Sequence, residues 1–313
     1  MLGLTLLLLG SLALLILGAE GLVRGASALA RRLGVSALVI GLTVVAFGTN
    51  SPELLINARA AASGHALVGL GNVVGANIAN TLLILGVAAL VKPLRVRPAL
   101  LRQEVPLLIG VTVLLVLLLW DRTLSRLDGG LLLAGAVAYL IAEFRYGRRG
   151  EWVPVAGSGT TAPANPPAAG LAALLLLGGL AALLTGAWYG LGSAVALAER
   201  VGMSEVTIGL TVVAFGTSLP EMATSVVAAR RGQDDLALGN AIGSSILNIL
   251  LVLGVTALIS PIEIEALRPL DTAVLVGSTV VLVPLLRSGR RISRVEGALL
   301  VAAYAGYLVS LIP

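Results

Sequence analysis

Two glutamates stand at equivalent positions in two copies of one short motif. Glu53 ends the sequence AFGTNSPE, and Glu221 ends the sequence AFGTSLPE. Each lies in the middle of an apolar segment, and an ionised side chain at the centre of a bilayer costs at least about 2.5 kcal/mol. Two such residues therefore need a bound cation, a proton or a hydrogen-bonding partner. The structural alternative is a pair of neutral glutamic acids that only joins two helices.

A proline precedes each glutamate, Pro52 in the first motif and Pro220 in the second. Proline has no amide donor and clashes with the carbonyl group one turn earlier, so it breaks or bends a helix. In a membrane, freed carbonyl groups are tolerated only where they face protein or line a polar cavity. Unwound carbonyls beside a carboxylate form the hard-oxygen sites that Ca2+ and Na+ prefer. The candidate carbonyl ligands belong to Ala46, Thr49, Ala214 and Thr217.

Amide and hydroxyl groups follow in a second pair of similar blocks, GNVVGANIAN at 71–80 and GNAIGSSILN at 239–248. Asn80 and Asn248 each lie 27 residues after a glutamate. Interhelical hydrogen bonding is the alternative role for each polar residue alone, and the glycines predict close helix packing. Facing two glutamates, the polar residues together predict a cation site. Cysteine is absent and His65 is the only histidine, which excludes thiolate sites and two-histidine zinc motifs.

The motifs and the blocks share a single offset of 168 residues. Thirteen of 21 positions are identical around the first motif, and nine of 16 across the second block. The chain is therefore predicted to be a duplication, with one half at 1–146 and the other at 168–313. The segment between them, 147–167, is rich in Gly, Pro, Ser and Thr and predicts a flexible linker.

The composition is that of an integral membrane protein. The 313 residues are 58% hydrophobic and only 12% charged, against about 25% charged residues in a soluble domain. Apolar runs that approach roughly 20 residues are typical of membrane-spanning helices. We therefore predict an all-α integral membrane protein with about ten transmembrane helices. The predicted spans lie at about 1–31, 36–63, 66–91, 99–120, 127–146, 168–200, 204–231, 234–260, 269–287 and 294–312.

Basic residues are distributed unequally between the two sides of these spans. The loops after spans 1, 3, 5, 7 and 9, with the adjoining span ends, hold 16 of the 21 Lys and Arg residues. Positive loops stay in the cytoplasm, so the linker is predicted to be cytoplasmic and both termini to lie outside. Because each half has five spans, an odd number, the second half enters the membrane with the opposite orientation. The halves are therefore predicted to be inverted-topology repeats. The net charge of +5 is then explained by loop residues that orient the protein in the cell (inner) membrane. No nucleic-acid partner is expected.

The two motifs and the blocks behind them resemble those of the cation/Ca2+ exchanger superfamily, in particular its prokaryotic sodium/calcium exchanger branch. The resemblance implies a ten-helix antiporter whose ion site lies between helices 2, 3, 7 and 8. The ligands that it implies are Ala46, Thr49, Glu53, Asn80, Ala214, Thr217, Ser218, Glu221, Ser244 and Asn248.

Three positions depart from the pattern of this branch. Asn50, followed by Ser51, stands where the first motif usually has Ser, and Ala76 stands where the next helix usually has Ser. Asn248 stands where some sodium-coupled members have Asp. Both glutamates are intact, so the resemblance implies a preserved Ca2+ site, with Asn50 and Ser51 as further candidate ligands. The lost hydroxyls bear on the Na+ sites, and H+ stays open as an alternative coupling ion.

The resemblance implies a secondary active antiporter that exchanges Ca2+ for Na+ by alternating access and that is not an enzyme. Ca2+ and Na+ are then transported ions, the lipid bilayer surrounds the protein, no organic cofactor is needed, and a monomer suffices. The first alternative keeps the fold and uses H+ as the driving ion. The second is a passive cation channel, although two deep carboxylates should hold a divalent ion rather than pass it quickly.

Overall fold

The computed structural model describes residues 2–147, 168–200, 202, 214–263 and 268–311. Helices make up almost all of this part of the chain, and each of its strands is two residues long. Residues 148–167, most of the predicted linker, lie outside the described residues. So do residues 203–213, which belong largely to the predicted span 204–231.

The first half follows the predicted spans, except that the span 36–63 is divided in two at Asn50. The Ser36 hydroxyl caps the helix before this break by accepting a hydrogen bond from the Val39 amide at 3.2 Å. The helices are α1 (Leu2–Leu33), α2 (Ala37–Thr49), α3 (Ser51–Ala62), α4 (Ala66–Val91), α5 (Leu100–Leu118) and α6 (Arg126–Gly147).

The described part of the second half has similar helix boundaries, and its break falls at Ser218, the repeat mate of Asn50. A capping box of Ser293 and Glu296 begins the last helix, with the Ser293 amide donating to the Glu296 carboxylate at 2.7 Å. The helices are α7 (Ala169–Arg200), α8 (Ala214–Thr217), α9 (Leu219–Arg230), α10 (Asp234–Ile259), α11 (Pro269–Arg287) and α12 (Arg294–Val309).

Wider, π-helical turns interrupt several helices near their centres. They cover Gly41–Val45 in α2, Ala79–Ile84 in α4 and Asn248–Leu253 in α10. A π-helical turn carries an extra residue and is frequent at functional sites. Asn80 and Asn248 both lie in such turns, at equivalent positions of the two halves.

Seven of the helices formed by the described residues are long and apolar enough to cross a membrane. The pair α2 and α3, bent by 44°, raises the number to eight if it forms one broken span. The last helix, α12, has 16 residues. These helices are consistent with the predicted integral membrane protein.

Two helices lie at the centre of the molecule. In the most apolar stretches of α4 and α10, 78% of the residues are buried inside the protein, against 33% in α1 and 22% in α7. The outer helices therefore present large apolar side chains outward, as lipid-facing helices do. The polar blocks recognised in the sequence belong to α4 and α10, so their amides and hydroxyls face protein.

Two short antiparallel sheets join the halves. β1 (Leu94–Arg95) pairs with β4 (Arg291–Ile292), and β2 (Thr123–Leu124) pairs with β3 (Ile262–Glu263). Leu94 opposes Ile292, and Leu124 opposes Ile262. The repeat offset of 168 residues relates β1 to β3 and β2 to β4, so each pair of partners in one sheet has its counterpart in the other.

The outer helices α1 and α7 also cross with reciprocal contacts. A Cβ atom at Gly18 would lie 2.6 Å from the Leu183 backbone nitrogen, and one at Gly186 would lie 3.0 Å from that of Leu15. These two contacts exchange under the same offset. Partner numbers fall along α7 as they rise along α1, so the two helices run antiparallel.

Candidate cation-binding site

The break between α2 and α3 and the break between α8 and α9 have similar backbone dihedral angles. Asn50 has φ −74° and ψ 0°, and Ser218 has φ −86° and ψ 5°. Pro52 and Pro220 lie in the first turn of the next helix, where the missing amide is tolerated and the ring fixes φ. The sequence therefore starts α3 and α9 anew at these points.

Glu53 and Glu221 lie in the first turns of α3 and α9, where the partial positive charge of a helix N-terminus favours an anion. Their side chains are only 1% and 2% exposed. The two carboxyl groups are close enough to repel each other electrostatically. Ion pairs in the described part of the chain use other carboxylates. This arrangement argues against glutamate–arginine pairs at the two positions.

The site contains buried polar atoms that accept or donate no hydrogen bond within the described structure. On the carboxylates they are Oε2 of Glu53 and the side-chain oxygens of Glu221, beside which the Thr49 side chain lies. A buried polar atom without a partner costs roughly 1–3 kcal/mol, so such a group calls for an explanation. The neutral atoms of this kind are Asn50 Oδ1, Asn80 Oδ1 and Nδ2, Ser218 Oγ, Thr224 Oγ1 and Ser244 Oγ.

A chain of side-chain amides crosses between the halves beside these atoms. Asn50 Nδ2 donates to the Ser244 carbonyl at 3.0 Å and to Asn248 Oδ1 at 3.1 Å. Asn248 Nδ2 donates to Asn77 Oδ1 at 3.1 Å, and Asn77 Nδ2 donates to the Ser245 carbonyl at 3.1 Å. The chain fixes the break of the first half against the centre of α10.

The predicted residues thus divide into groups with different surroundings. Both amide atoms of Asn80 are unpartnered among the described residues, whereas both amide atoms of its mate Asn248 are hydrogen-bonded. The Ser51 hydroxyl is partly exposed and donates to the Phe47 carbonyl at 3.3 Å. Asn80 therefore belongs with the buried polar residues whose side-chain atoms have no partner in the described structure, here called the buried set. The Ser51 hydroxyl does not.

The predicted carbonyl ligands occupy the last turns of the helices before the breaks. The Ala46 carbonyl accepts the Asn50 amide at 3.0 Å and the Thr49 hydroxyl at 3.3 Å. Thr49 and Thr217 are buried. Ala214 is the first described residue of α8, and its side chain lies outside the described part of the chain.

A symmetric pair of hydrogen bonds supports the glutamate helices, and its acceptor residues, Asn57 and Ser225, were not predicted from the sequence. Asn72 Nδ2 donates to Asn57 Oδ1 at 2.9 Å, and the repeat mates Asn240 and Ser225 make the same bond at 3.0 Å. Asn57 and Ser225 each lie four residues after a glutamate, on the same helix face. That spacing is the signal that could have found them.

The donor set has a definite chemical preference. Two carboxylates combine with amide and hydroxyl oxygens, which are the ligands of hard cations such as Ca2+ and Na+. Among the described residues, no group of three or more His, Cys, Asp and Glu side chains could hold a metal ion. A site of this composition therefore relies on neutral oxygens to complete the shell around an ion.

Comparison with known proteins gives the class. The profile of the family described as “Sodium/calcium exchanger protein” matches residues 3–145 and 171–312. The chain belongs to this family, which confirms the resemblance seen in the two motifs. It is a multi-pass membrane antiporter.

Individual relatives cover nearly the whole chain. It is 34% identical over 342 residues to the sodium/calcium exchanger MaX1 of Methanosarcina acetivorans, covering 98% of this chain and 97% of the relative. It is 38% identical over 271 residues to the inner membrane protein YrbG of Escherichia coli, covering 84% and 82%. A solved structure of the sodium-calcium exchanger NCX_Mj matches with a TM-score of 0.84 at 33% identity, covering 99% of this chain and 98% of that one.

Proposed function

We propose that this protein is a secondary active antiporter that exchanges Ca2+ for Na+ by alternating access in the cell's inner membrane. The observation that carries the proposal is the buried pair Glu53 and Glu221, surrounded by unpartnered oxygen atoms within the described structure. Two negative charges neutralise one Ca2+ or an equivalent number of Na+ ions. The two loads therefore compete for the same carboxylates, which is the physical basis of exchange.

In this proposal Glu53 and Glu221 bind Ca2+ directly, helped by the Thr49 and Thr217 carbonyls. The polar side chains around them complete the sites for the counter-ion, and their burial without hydrogen-bond partners in the described residues supports that role. These side chains are Asn50, Asn80, Ser218 and Ser244. Asn248 contributes by holding Asn50 and Asn77 in place. The Ala46 and Ala214 carbonyls complete the set, from which we omit Ser51.

The proposed topology has ten transmembrane helices in two inverted five-helix repeats. The two sheets that exchange under the repeat offset support it, as do the reciprocal contacts of antiparallel α1 and α7. Residues 1–146 and 168–313 are the repeats, and 147–167 is a cytoplasmic linker. With the basic residues on the cytoplasmic side, both termini lie outside.

H+ is the second candidate for the coupling ion. Asn50 and Ala76 both lack the hydroxyl usual at their positions, and Asn248 carries no charge. Fewer anionic and hydroxyl oxygens weaken sites for Na+, whereas protons can still neutralise the two glutamates. This observation supports H+ as the alternative coupling ion.

The test is 45Ca2+ uptake into proteoliposomes loaded with Na+, against matched vesicles loaded with choline at equal pH. Uptake that requires internal Na+ is the expected result. Uptake that ignores Na+ but follows an imposed acid interior would replace Na+ with H+ as the driving ion. Rapid uptake without either gradient would overturn antiport in favour of a passive pathway.

A further inference from the structure

A second pair of carboxyl groups lies away from the candidate cation-binding site. Glu104 is in the first turns of α5, and Glu143 is near the end of α6. Because α5 and α6 are consecutive helices joined by a short connection, these two ends return to the same side of the molecule. The Glu104 carboxyl lies within hydrogen-bonding distance of the Glu143 carboxyl. The two groups therefore form a close pair.

Glu104 is buried, and Glu143 beside it is half-buried. Glu104 is 4% exposed, and its Oε2 atom has no hydrogen-bond partner among the described residues. The electrostatic interactions on Glu104 come from Glu143, and Glu143 is hydrogen-bonded to Glu104. Unlike Glu53 and Glu221, this pair has no neighbouring set of unpartnered amides and hydroxyls in the described structure. Its surroundings suit a proton better than a metal ion.

Charged groups on the helices packed against the pair are engaged elsewhere or exposed. α5 packs against α10 and α11, and α6 packs against α2 and α10. α2 carries no charged residue, and Arg102 and Arg287 line an open surface pocket. The acidic residues at the start of α10, Asp234 and Asp235, are paired with Lys92 and Arg97.

Tyr139 connects the pair to the helix that precedes the first break. It lies one turn before Glu143 on α6, is 5% exposed, and interacts electrostatically with both carboxyl groups. Its hydroxyl donates to the Leu42 carbonyl at 3.5 Å. Leu42 lies in the π-helical turn of α2, and its backbone packs directly on Gly243, next to Ser244. A path of contacts thus runs from the pair to the cation-binding site.

We propose that Glu104 and Glu143 share one proton and form a proton-binding site, separate from the transported ions, that regulates the exchanger through Tyr139 and α2. Two carboxyl groups in contact cannot both ionise without strong repulsion, so one holds a proton that the other accepts. Loss of this proton leaves two like charges in contact, and their repulsion drives the side chains apart. The contact of Tyr139 with Leu42 then shifts, and α2 moves against α10.

Infrared difference spectroscopy tests the shared proton without relying on transport. The full-length protein, in liposomes with saturating Ca2+, is titrated between acidic and alkaline pH. A protonated carboxyl band should appear in the wild type, disappear in both E104Q and E143Q, and persist in E199Q, a change at an exposed glutamate. Persistence of the full band in folded E143Q would overturn the proposal. Loss of the carboxyl band at constant pH when Na+ is added, with Na+ bound at Glu104 and Glu143, would overturn the proposal in favour of a cation site.

The regulatory part rests on the proposed function and is tested separately by 45Ca2+ uptake at equal internal and external pH. At every pH, the doubly neutral variant E104Q/E143Q should take up Ca2+ at the rate that the wild type shows at acidic pH. E199Q should have the same pH profile as the wild type. Y139F should lose the pH response and retain the infrared band. Unchanged pH profiles in E104Q/E143Q and Y139F would contradict regulation. No uptake by any protein would instead contradict the proposed transport function.

Discussion

The break in the first half is occupied by Asn50, and the equivalent break in the second half by Ser218. Asn50 reaches across the molecule and donates to Ser244 and Asn248, whereas the Ser218 hydroxyl has no partner among the described residues. The halves differ again where Ala76 stands opposite its mate Ser244. Equivalent positions thus present different atoms to an ion, so the lining of the site is asymmetric.

The frame around the site is symmetric by contrast. The two sheets exchange under the repeat offset, and so do the bonds from Asn72 to Asn57 and from Asn240 to Ser225. The sheets are formed by backbone hydrogen bonds, and the two side-chain bonds join equivalent positions of the halves. The comparison teaches that the duplicated frame is retained while the residues that line the site differ between the halves.

The largest expected effect concerns the two buried glutamates that the halves share. Glu53→Gln and Glu221→Gln should each abolish 45Ca2+ uptake, because either change removes half of the charge that neutralises Ca2+. Glu263→Gln, on the exposed part of β3, is the matched control and should transport normally. Near-normal uptake by either site variant would remove that residue from the ligand set.

A change in the frame should damage folding rather than ion selectivity. A Cβ atom at Gly243 would lie 2.5 Å from the Leu42 carbonyl oxygen, so Gly243→Ala should lower stability by about 2–3 kcal/mol. The measurement is the thermal unfolding temperature of the purified protein. Gly277→Ala is the control, since a Cβ atom there meets no described atom within 4 Å. Equal stability of the two variants would contradict the close crossing of α2 and α10.

The two asparagines in the π-helical turns should respond differently to the same change. Asn248→Ala removes a partner from Asn50 and from Asn77, which should cost about 1–3 kcal/mol of stability. Asn80→Ala removes no hydrogen bond recorded in the described structure, so it should leave the unfolding temperature unchanged and weaken ion binding. Thermal unfolding with and without ions measures both effects. Matching behaviour of the two variants would refute the asymmetric lining.

The smallest effect is expected at the ion pair of Lys92 and Asp234, which has no equivalent at the matching positions of the repeat. Asp234 accepts from Lys92 Nζ at 3.4 Å and from the Arg95 amide at 3.2 Å, and its repeat mate is Ala66. Lys92 is 42% exposed, so Lys92→Ala should change stability by less than about 1 kcal/mol. Asp234→Ala should be more harmful, because it also removes the acceptor of the Arg95 amide. Chemical denaturation of both variants checks this order.

The sequence predicts much of the fold because its signals are local or repeated. Pro52 and Pro220 predict the breaks, the glutamates beside them predict the site, and the shared offset pairs the halves. Tertiary contacts account for what was missed. The side-chain bonds of Asn248 depend on residues of the other half, and no spacing rule joins Glu104 to Glu143. The π-helical turns also depend on packing and left no clear mark in the sequence.

The most direct test of the central claim is equilibrium binding of 45Ca2+ to the purified protein, with Ser51→Ala as the variant that leaves the buried set intact. The wild type and Ser51→Ala should each bind one saturable Ca2+, which Na+ or H+ displaces. Glu53→Gln and Glu221→Gln should show no such binding. Retained Ca2+ binding in both folded glutamine variants would contradict the claim that the two buried carboxylates form the cation site.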